Sequence, residues 1–313
     1  MRILITGATG FVGRHLIEHL ASEMPRADLH GTAISSAEQT DMVRLHYLDL
    51  RNPDAVRHLL EQTRPDHIYH LAAQASPRRS FADPWGTLEN NIRAQLNILQ
   101  TCADLNLAPR ILVISSSEIY RATDEAIAED TPFEPTSPYS VSKIAQDMLA
   151  FQYYLTHRLP IMRARPFNHI GPGQGEGFVA PDFAMQIARI EAGQQEPVLE
   201  VGNLTARRDF TDVRDVVRAY RLIVERGQPG EVYNVASGSA HSVQELLDTL
   251  LSFSTRHIAV RVDPDRFLPV DVPVKSGDAN RLRQQTGWKP IIPFEQTLLD
   301  ILNECRERVR IHQ

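Results

Sequence analysis

Arg2-Ile3-Leu4-Ile5-Thr6-Gly7-Ala8-Thr9-Gly10-Phe11-Val12-Gly13 carries two signals in immediate succession. Residues 2–6 are a short apolar run of the kind that forms a strand buried on both faces of a parallel sheet. Glycines at 7, 10 and 13 follow, and an amphipathic helix runs on to about residue 20. Such glycines permit a tight turn and close approach of a pyrophosphate, while the helix N-terminus presents free N–H groups and a positive dipole end to the anion. Between a first strand and a first helix, this spacing predicts a dinucleotide-binding turn.

The remainder of the chain fits that start. Its 313 residues, 42% hydrophobic and 23% charged, suffice for one large domain or two unequal ones. A net charge of −6 does not favour a nucleic-acid partner. No apolar run is long enough for a membrane span, and the direct start into a strand leaves no room for a signal peptide, so a cytoplasmic protein is expected. Cys102 and Cys305 lie far apart, in no metal-like spacing. They are expected as reduced structural thiols, with no metal site.

Strand and helix patterns alternate through the first half. Strands are expected at 28–33, 43–48, 67–71, 110–114 and 161–164, with a long helix at 84–105 and another from 139 to about 155. This βαβ rhythm predicts an α/β protein with a Rossmann-type, doubly wound parallel sheet, formed by residues 1–165 together with about 210–236. Residues from about 166 to 209 and 237 to 313 mix their elements: helices at 180–192, 243–251 and 294–310, strands at 198–201 and 258–262, and loops at 165–174 and 207–212. They predict a smaller mixed α/β C-terminal lobe that covers a substrate. A helix at 213–226 and a strand at 232–235 return to the sheet.

Ligands bind at the carboxyl ends of parallel strands. After the second strand stand Ala33, Ile34, Ser35 and Ser36, which select neither an adenosine ribose nor a 2′-phosphate. After the third stands Asp49-Leu50, where Asp49 either accepts from an adenine amino group or caps the next helix near Asn52-Pro53. After the fourth, Leu71-Ala72-Ala73 are small enough to let the backbone lie against a flat cofactor. After the fifth comes Ser115-Ser116-Ser117-Glu118-Ile119-Tyr120, in which Ser116 is a candidate hydrogen-bond donor and Glu118 a candidate base, or both cap the loop. Ser137-Pro138 then opens the helix that carries Tyr139 and Lys143 on one face. An adjacent ammonium would draw the phenol toward a working acid–base range.

Gly7-x-x-Gly10-x-x-Gly13, Ser116, Tyr139-x-x-x-Lys143 and Thr286-Gly287-Trp288-Lys289-Pro290, in that order, resemble the extended short-chain dehydrogenase/reductase superfamily over nearly the whole chain. The loops Pro166-Phe167-Asn168-His169-Ile170-Gly171-Pro172-Gly173-Gln174, Gly177-Phe178-Val179 with Asp182-Phe183, Val201-Gly202-Asn203-Leu204 and Arg208-Asp209-Phe210-Thr211-Asp212 are similar to those of GDP-4-keto-6-deoxy-D-mannose reductases. GDP-mannose 4,6-dehydratases are near relatives, but they are longer, usually carry Asn-His-Glu-Ser-Pro-Arg after the strand, and have a lysine where this chain has Asp182. The chain departs from the reductases at three places. Arg121 replaces a glycine, Ile34 replaces an arginine linked with NADPH, and Leu268-Pro269-Val270-Asp271 replaces an Arg-Pro-x-Glu element that grips the diphosphate. Arg266 either substitutes for that arginine or is a solvated loop residue.

The resemblance implies NADPH or NADH, held by Gly7, Thr9, Gly10, Phe11, Val12, Gly13, Asp49, Leu50, Leu71, Ala72, Ala73, Tyr139, Lys143 and Pro166. It also implies a GDP-linked sugar contacted by Gln74, Ser117, Asn168, Val179, Arg208 and Arg266. The reaction it implies is reduction of the C4 ketone of a nucleotide-linked 4-keto-6-deoxyhexose, GDP-4-keto-6-deoxy-D-mannose to GDP-D-rhamnose, with Ser116, Tyr139 and Lys143 catalytic. A 4,6-dehydratase, in which Glu118 removes the C5 proton, or a 4-epimerase would hold its cofactor without net turnover. A non-enzymatic alternative is a dinucleotide-sensing regulator, of a kind that often lacks the tyrosine or lysine. Extended reductases commonly dimerise through a four-helix bundle, for which Leu96, Leu99, Met148 and Leu149 supply apolar positions, unless these face the chain's own sheet.

Overall fold

The computed structural model describes residues 1–35, 41–263 and 273–311. Its elements follow in the order β1 (Arg2–Thr6), α1 (Phe11–Glu23), β2 (Asp28–Ala33), β3 (Arg44–Tyr47), α2 (Pro53–Thr63), β4 (His67–His70), α3 (Pro77–Ala82), α4 (Pro84–Asp104), β5 (Arg110–Ile114), α5 (Pro138–His157) and β6 (Ile161–Pro166). The chain then passes through β7 (Asn168–Ile170), α6 (Val179–Glu191), β8 (Val198–Val201) and β9 (Arg207–Asp212), and returns through α7 (Val213–Arg226) to β10 (Val232–Val235). It ends with β11 (Ala240–Ser242), α8 (Val243–Ser252), β12 (Ala259–Val262), β13 (Val274–Lys275), α9 (Asn280–Thr286) and α10 (Phe294–Ile311).

Seven strands form the central sheet in the order β10-β6-β5-β4-β1-β2-β3, every pairing parallel. Such a sheet has helices on both faces, which is why Ile3, Leu4 and Ile5 are all fully buried with no polar alternation. Ile3 and Ile5 point to the core beneath α1 and α7, and Leu4 points to the core beneath α2, α4 and α5. A third core, built on Phe183, Ile187, Leu247 and Leu302, lies among α6, α8 and α10. Cys102 and Cys305 are buried free thiols in two different cores.

Two segments read as loops are strands. Asn168–Ile170 (β7) pairs in parallel with Phe210–Asp212 of β9, and β9 also pairs with β11 and β13. Ile170 and Phe210 place them in the core among α6, α8 and α10, and a buried carboxylate ties β9 to the loops beside it. Asp209 is fully buried on β9 and accepts the backbone N–H groups of Ser237 (2.8 Å), Gly238 (2.9 Å) and Gly277 (3.2 Å). Ionic pairing likewise ties α5 to the sheet: buried Asp147 accepts from Arg163 Nη1 and Arg165 Nε, each at 2.8 Å. α4 and α5 pack side by side. Leu99 is fully buried against the chain's own sheet, so it is no part of an outer face, whereas Leu96 and Met148 are 37% and 39% exposed.

Candidate active site

The turn between β1 and α1 has the shape an anionic group requires. Gly7 lies at φ +67°, and a Cβ there would come within 3.0 Å of the Ala72 nitrogen. A Cβ on Gly13 would come within 2.3 Å of the Gly7 carbonyl oxygen. Gly10 caps α1 without any side-chain hydrogen bond, and no acidic residue occupies the first turn, so the N–H groups near Phe11 and Val12 face no competing carboxylate there. The Phe11 ring lies parallel to His169, with centroids 6.2 Å apart, and approaches Gly171. Thr9 accepts the Arg14 Nε hydrogen at its carbonyl. These residues fit a pyrophosphate.

The strand order reverses direction of growth between β1 and β4, which opens a crevice at their carboxyl ends. Leu71, Ala72 and Ala73 line its β4 side. Thr6 Oγ1 spans the gap, accepting the Ala72 N–H at 3.0 Å and pairing with His70 Nδ1 at 2.9 Å. Burial, and then the Lys143 charge, push His70 down to about 3, so its imidazole is neutral at physiological pH. At the β3 end, Asn52 caps α2, its Oδ1 accepting from the N–H groups of Asp54 and Ala55. Asp49 therefore does not cap that helix. Its carboxylate instead binds Arg51, with Nη2 at 2.6 Å, while the Leu50 carbonyl accepts from Asn97.

Ser137 caps α5 by accepting the Ser140 N–H at 3.1 Å, Pro138 fills the first helical position, and Tyr139 and Lys143 are carried inward together. Both side chains are buried. Tyr139 meets Ser116, which lies just beyond β5. The Ser116 Oγ already accepts the Glu118 N–H at 3.1 Å, which leaves its own hydrogen to donate to the phenol oxygen. Lys143 Nζ donates to the Ile114 carbonyl at 2.9 Å.

The electrostatic balance differs from the one expected of a Tyr-x-x-x-Lys pair. Burial pushes Tyr139 up to about 12, the Ser116 hydrogen bond acts in the opposite sense, and the Glu118 charge adds to the rise. Burial likewise pushes the Lys143 ammonium down to about 7, and that ammonium donates to the Ile114 carbonyl.

The remaining candidate residues fall on several different elements. Pro166 ends β6, Asn168 begins β7 and Arg208 lies on β9. Val179 opens α6, and Ser117 is buried in the turn Ser117–Ile119. Gln74 is committed to the chain itself, its Nε2 donating to Ser76 O and Thr87 Oγ1. Arg266 and the Leu268-Pro269-Val270-Asp271 segment lie outside the described residues. One residue that no motif signalled joins the site. Lys275 of β13 reaches Glu118 with Nζ 3.1 Å from Oε1.

A family profile described as GDP-mannose 4,6 dehydratase matches residues 4–301. The chain is 38% identical to the GDP-6-deoxy-D-mannose reductase of Pseudomonas aeruginosa, over 99% of this chain and 98% of that one. It is 30% identical to GDP-mannose 4,6 dehydratase 1 of Arabidopsis thaliana, over 97% of this chain and 89% of that one. Among solved structures it superposes on RMD from Pseudomonas aeruginosa complexed with NADPH with a TM-score of 0.86 and 36% identity, covering 98% of this chain and 99% of that one.

Proposed function

The chain belongs to the GDP-mannose 4,6 dehydratase family, and from that premise we propose that it is an NAD(P)H-dependent reductase converting GDP-4-keto-6-deoxy-D-mannose to GDP-D-rhamnose. The observation that carries this reading is the convergence of Ser116, Tyr139 and Lys143 on one centre, in a chain that matches a GDP-6-deoxy-D-mannose reductase from end to end. Reduction of a ketone needs a proton donor at the oxygen, which a phenol supplies at neutral pH.

The Gly7–Gly13 turn and the N-terminus of α1 hold the pyrophosphate of the dinucleotide, and Leu71, Ala72, Ala73 and Pro166 flank its nicotinamide end. When bound, the reduced nicotinamide supplies a hydride to C4. Tyr139 gives its phenolic proton to the developing alkoxide, and Ser116 donates a hydrogen bond in the same place, so charge does not accumulate unshielded. Lys143 anchors the cofactor side of the site from the Ile114 carbonyl. Asn168 orients the sugar or its phosphate, and Arg208 pairs with the diphosphate through charge-assisted hydrogen bonds.

A 4,6-dehydratase is the second reading, favoured by the presence of an acid at Glu118. The two separate in a single experiment. Purified protein given GDP-4-keto-6-deoxy-D-mannose should oxidise one equivalent of NADH or NADPH, each tested alone, per sugar reduced. Conversion of GDP-mannose with no net change in reduced nicotinamide would establish the dehydratase instead.

The protein is further proposed to act as a homodimer in which α4 and α5 of two copies form a four-helix bundle, supported by exposed Leu96, Val141 and Met148. Among the described residues no helix is long and apolar enough to cross a membrane. Two buried free thiols suit a reducing, cytoplasmic setting.

A further inference from the structure

Glu118 stands two residues beyond Ser116 and near enough to Tyr139 for its charge to be felt there. A carboxylate in that place has two options toward a bound 4-keto sugar. It can take the proton from the carbon next to the ketone, or it can be held away from it.

The structure supplies something to hold it. Lys275 is 3% exposed, and its ammonium lies 3.1 Å from Glu118 Oε1. The backbone around Lys275 is fixed on both sides. β13 runs parallel to β9 with Lys275 opposite Arg208, Pro273 O accepts the Arg207 N–H at 2.8 Å, and Ser276 O accepts the Ile127 N–H at 2.8 Å. Gly277 follows at a point where a Cβ would meet Ala236 Cβ at 2.5 Å and Phe167 Cε2 at 2.6 Å, so the segment cannot shift inward. An ammonium removed from water requires a counter-charge. Glu118, with its side chain one-third exposed, is the more accessible partner of the two.

We propose that Lys275 is a positioning residue for reaction choice: by engaging the Glu118 carboxylate it keeps that group from deprotonating C5, so the site reduces the ketone and leaves the neighbouring carbon intact. The step it suppresses is an enolisation. The C5–H bond breaks, the proton passes to Glu118, and the electron pair enters a C4–C5 enolate whose oxygen is met by Tyr139 and Ser116. Return of a solvent proton to C5 completes an exchange with no redox change. This inference rests on the reductase reading above and gives it a cause at the level of one ion pair.

The test is exchange in heavy water. Wild-type protein with GDP-4-keto-6-deoxy-D-mannose and oxidised cofactor, which has no hydride to give, should place little deuterium at C5 by NMR. Lys275→Met should raise that rate by about a hundredfold or more, the low end of what a positioned general base contributes. Lys275→Arg should remain at the wild-type rate, and Lys275→Met combined with Glu118→Gln should return to it. If Lys275→Met does not fold, Lys275→Gln carries the same expectation in a polar side chain. Exchange at the wild-type rate in the folded variant, or a double variant as fast as Lys275→Met, would overturn the proposal. So would a wild type that already exchanges as fast. NAD(P)H oxidation by the wild type, measured in parallel, reports on the reductase reading separately.

Discussion

Lys143 Nζ lies 5.9 Å from the centroid of the Tyr139 ring and gives its hydrogen bond to the Ile114 carbonyl, 2.9 Å away. Two side chains on one face of α5 are thus secured to different partners, the lysine to the end of β5 and the tyrosine to Ser116. Their duties should separate on mutation. Tyr139→Phe should lower kcat by about 10²–10⁴-fold, the usual worth of a positioned proton donor. Cofactor affinity, read by fluorescence titration, should be little changed.

Lys143 itself is costly to the fold. Burial lowers it from 10.5 to about 7, so between these values the unfolded chain binds a proton that the folded chain does not. Stability therefore rises with pH across that window, and the full penalty applies below about pH 7. Lys143→Met should be more stable than the wild type in urea at pH 7 by at least about 1 kcal/mol, with the margin shrinking toward about pH 10. Activity should be lost.

The same titration should appear in kinetics. kcat/KM for the reduced cofactor reports the free protein, and it should fall as pH rises through about 7, where Lys143 loses its charge. Lys143→Arg, which stays cationic, should retain less activity at neutral pH but lack that fall.

The parts of the fold legible in the sequence were those where one residue type has one physical use. Gly7 and Gly13 sit where a Cβ collides with backbone, and Ser137-Pro138 is a helix start in any context. Arg207–Asp212 was not legible as a strand, because buried Asp209 is satisfied by N–H groups from residues 237, 238 and 277, and no local pattern announces partners that distant. Asn280–Thr286 contributes mainly Leu282 and Thr286 to the interior, too few for a helical period to show. Lys275 belonged to no motif, and became a candidate only when β13 set it beside Glu118.

Asp147 compensates two arginines at once. Arg163 and Arg165 are both buried, and Arg165 also donates to the Tyr120 phenol and the Glu129 carbonyl. Asp147→Ala should destabilise the protein by about 3–5 kcal/mol, as expected when a buried ion pair loses one partner. Urea denaturation followed by circular dichroism would measure it.

Charge placed on the outer face of α4 and α5 should divide the proposed dimer. Leu96→Glu combined with Met148→Glu should yield monomers in sedimentation velocity at concentrations where the wild type is dimeric, because both positions are open to solvent in the single chain. Unchanged sedimentation would place the dimer contact elsewhere.

The small sheet around β9 is assembled from Asn168–Ile170, Arg207–Asp212, Ala240–Ser242 and Val274–Lys275. During synthesis these pieces leave the ribosome far apart in time, and the Rossmann sheet is complete once Val232–Val235 has emerged. Lys275, in the last of these pieces, arrives later still. The Rossmann core waits as well, because Ala279, Leu282 and Trp288 pack into it beside Ile3 and Ile5, so the C-terminal segment from β13 onward closes the dinucleotide fold and delivers Lys275 to Glu118 in the same act.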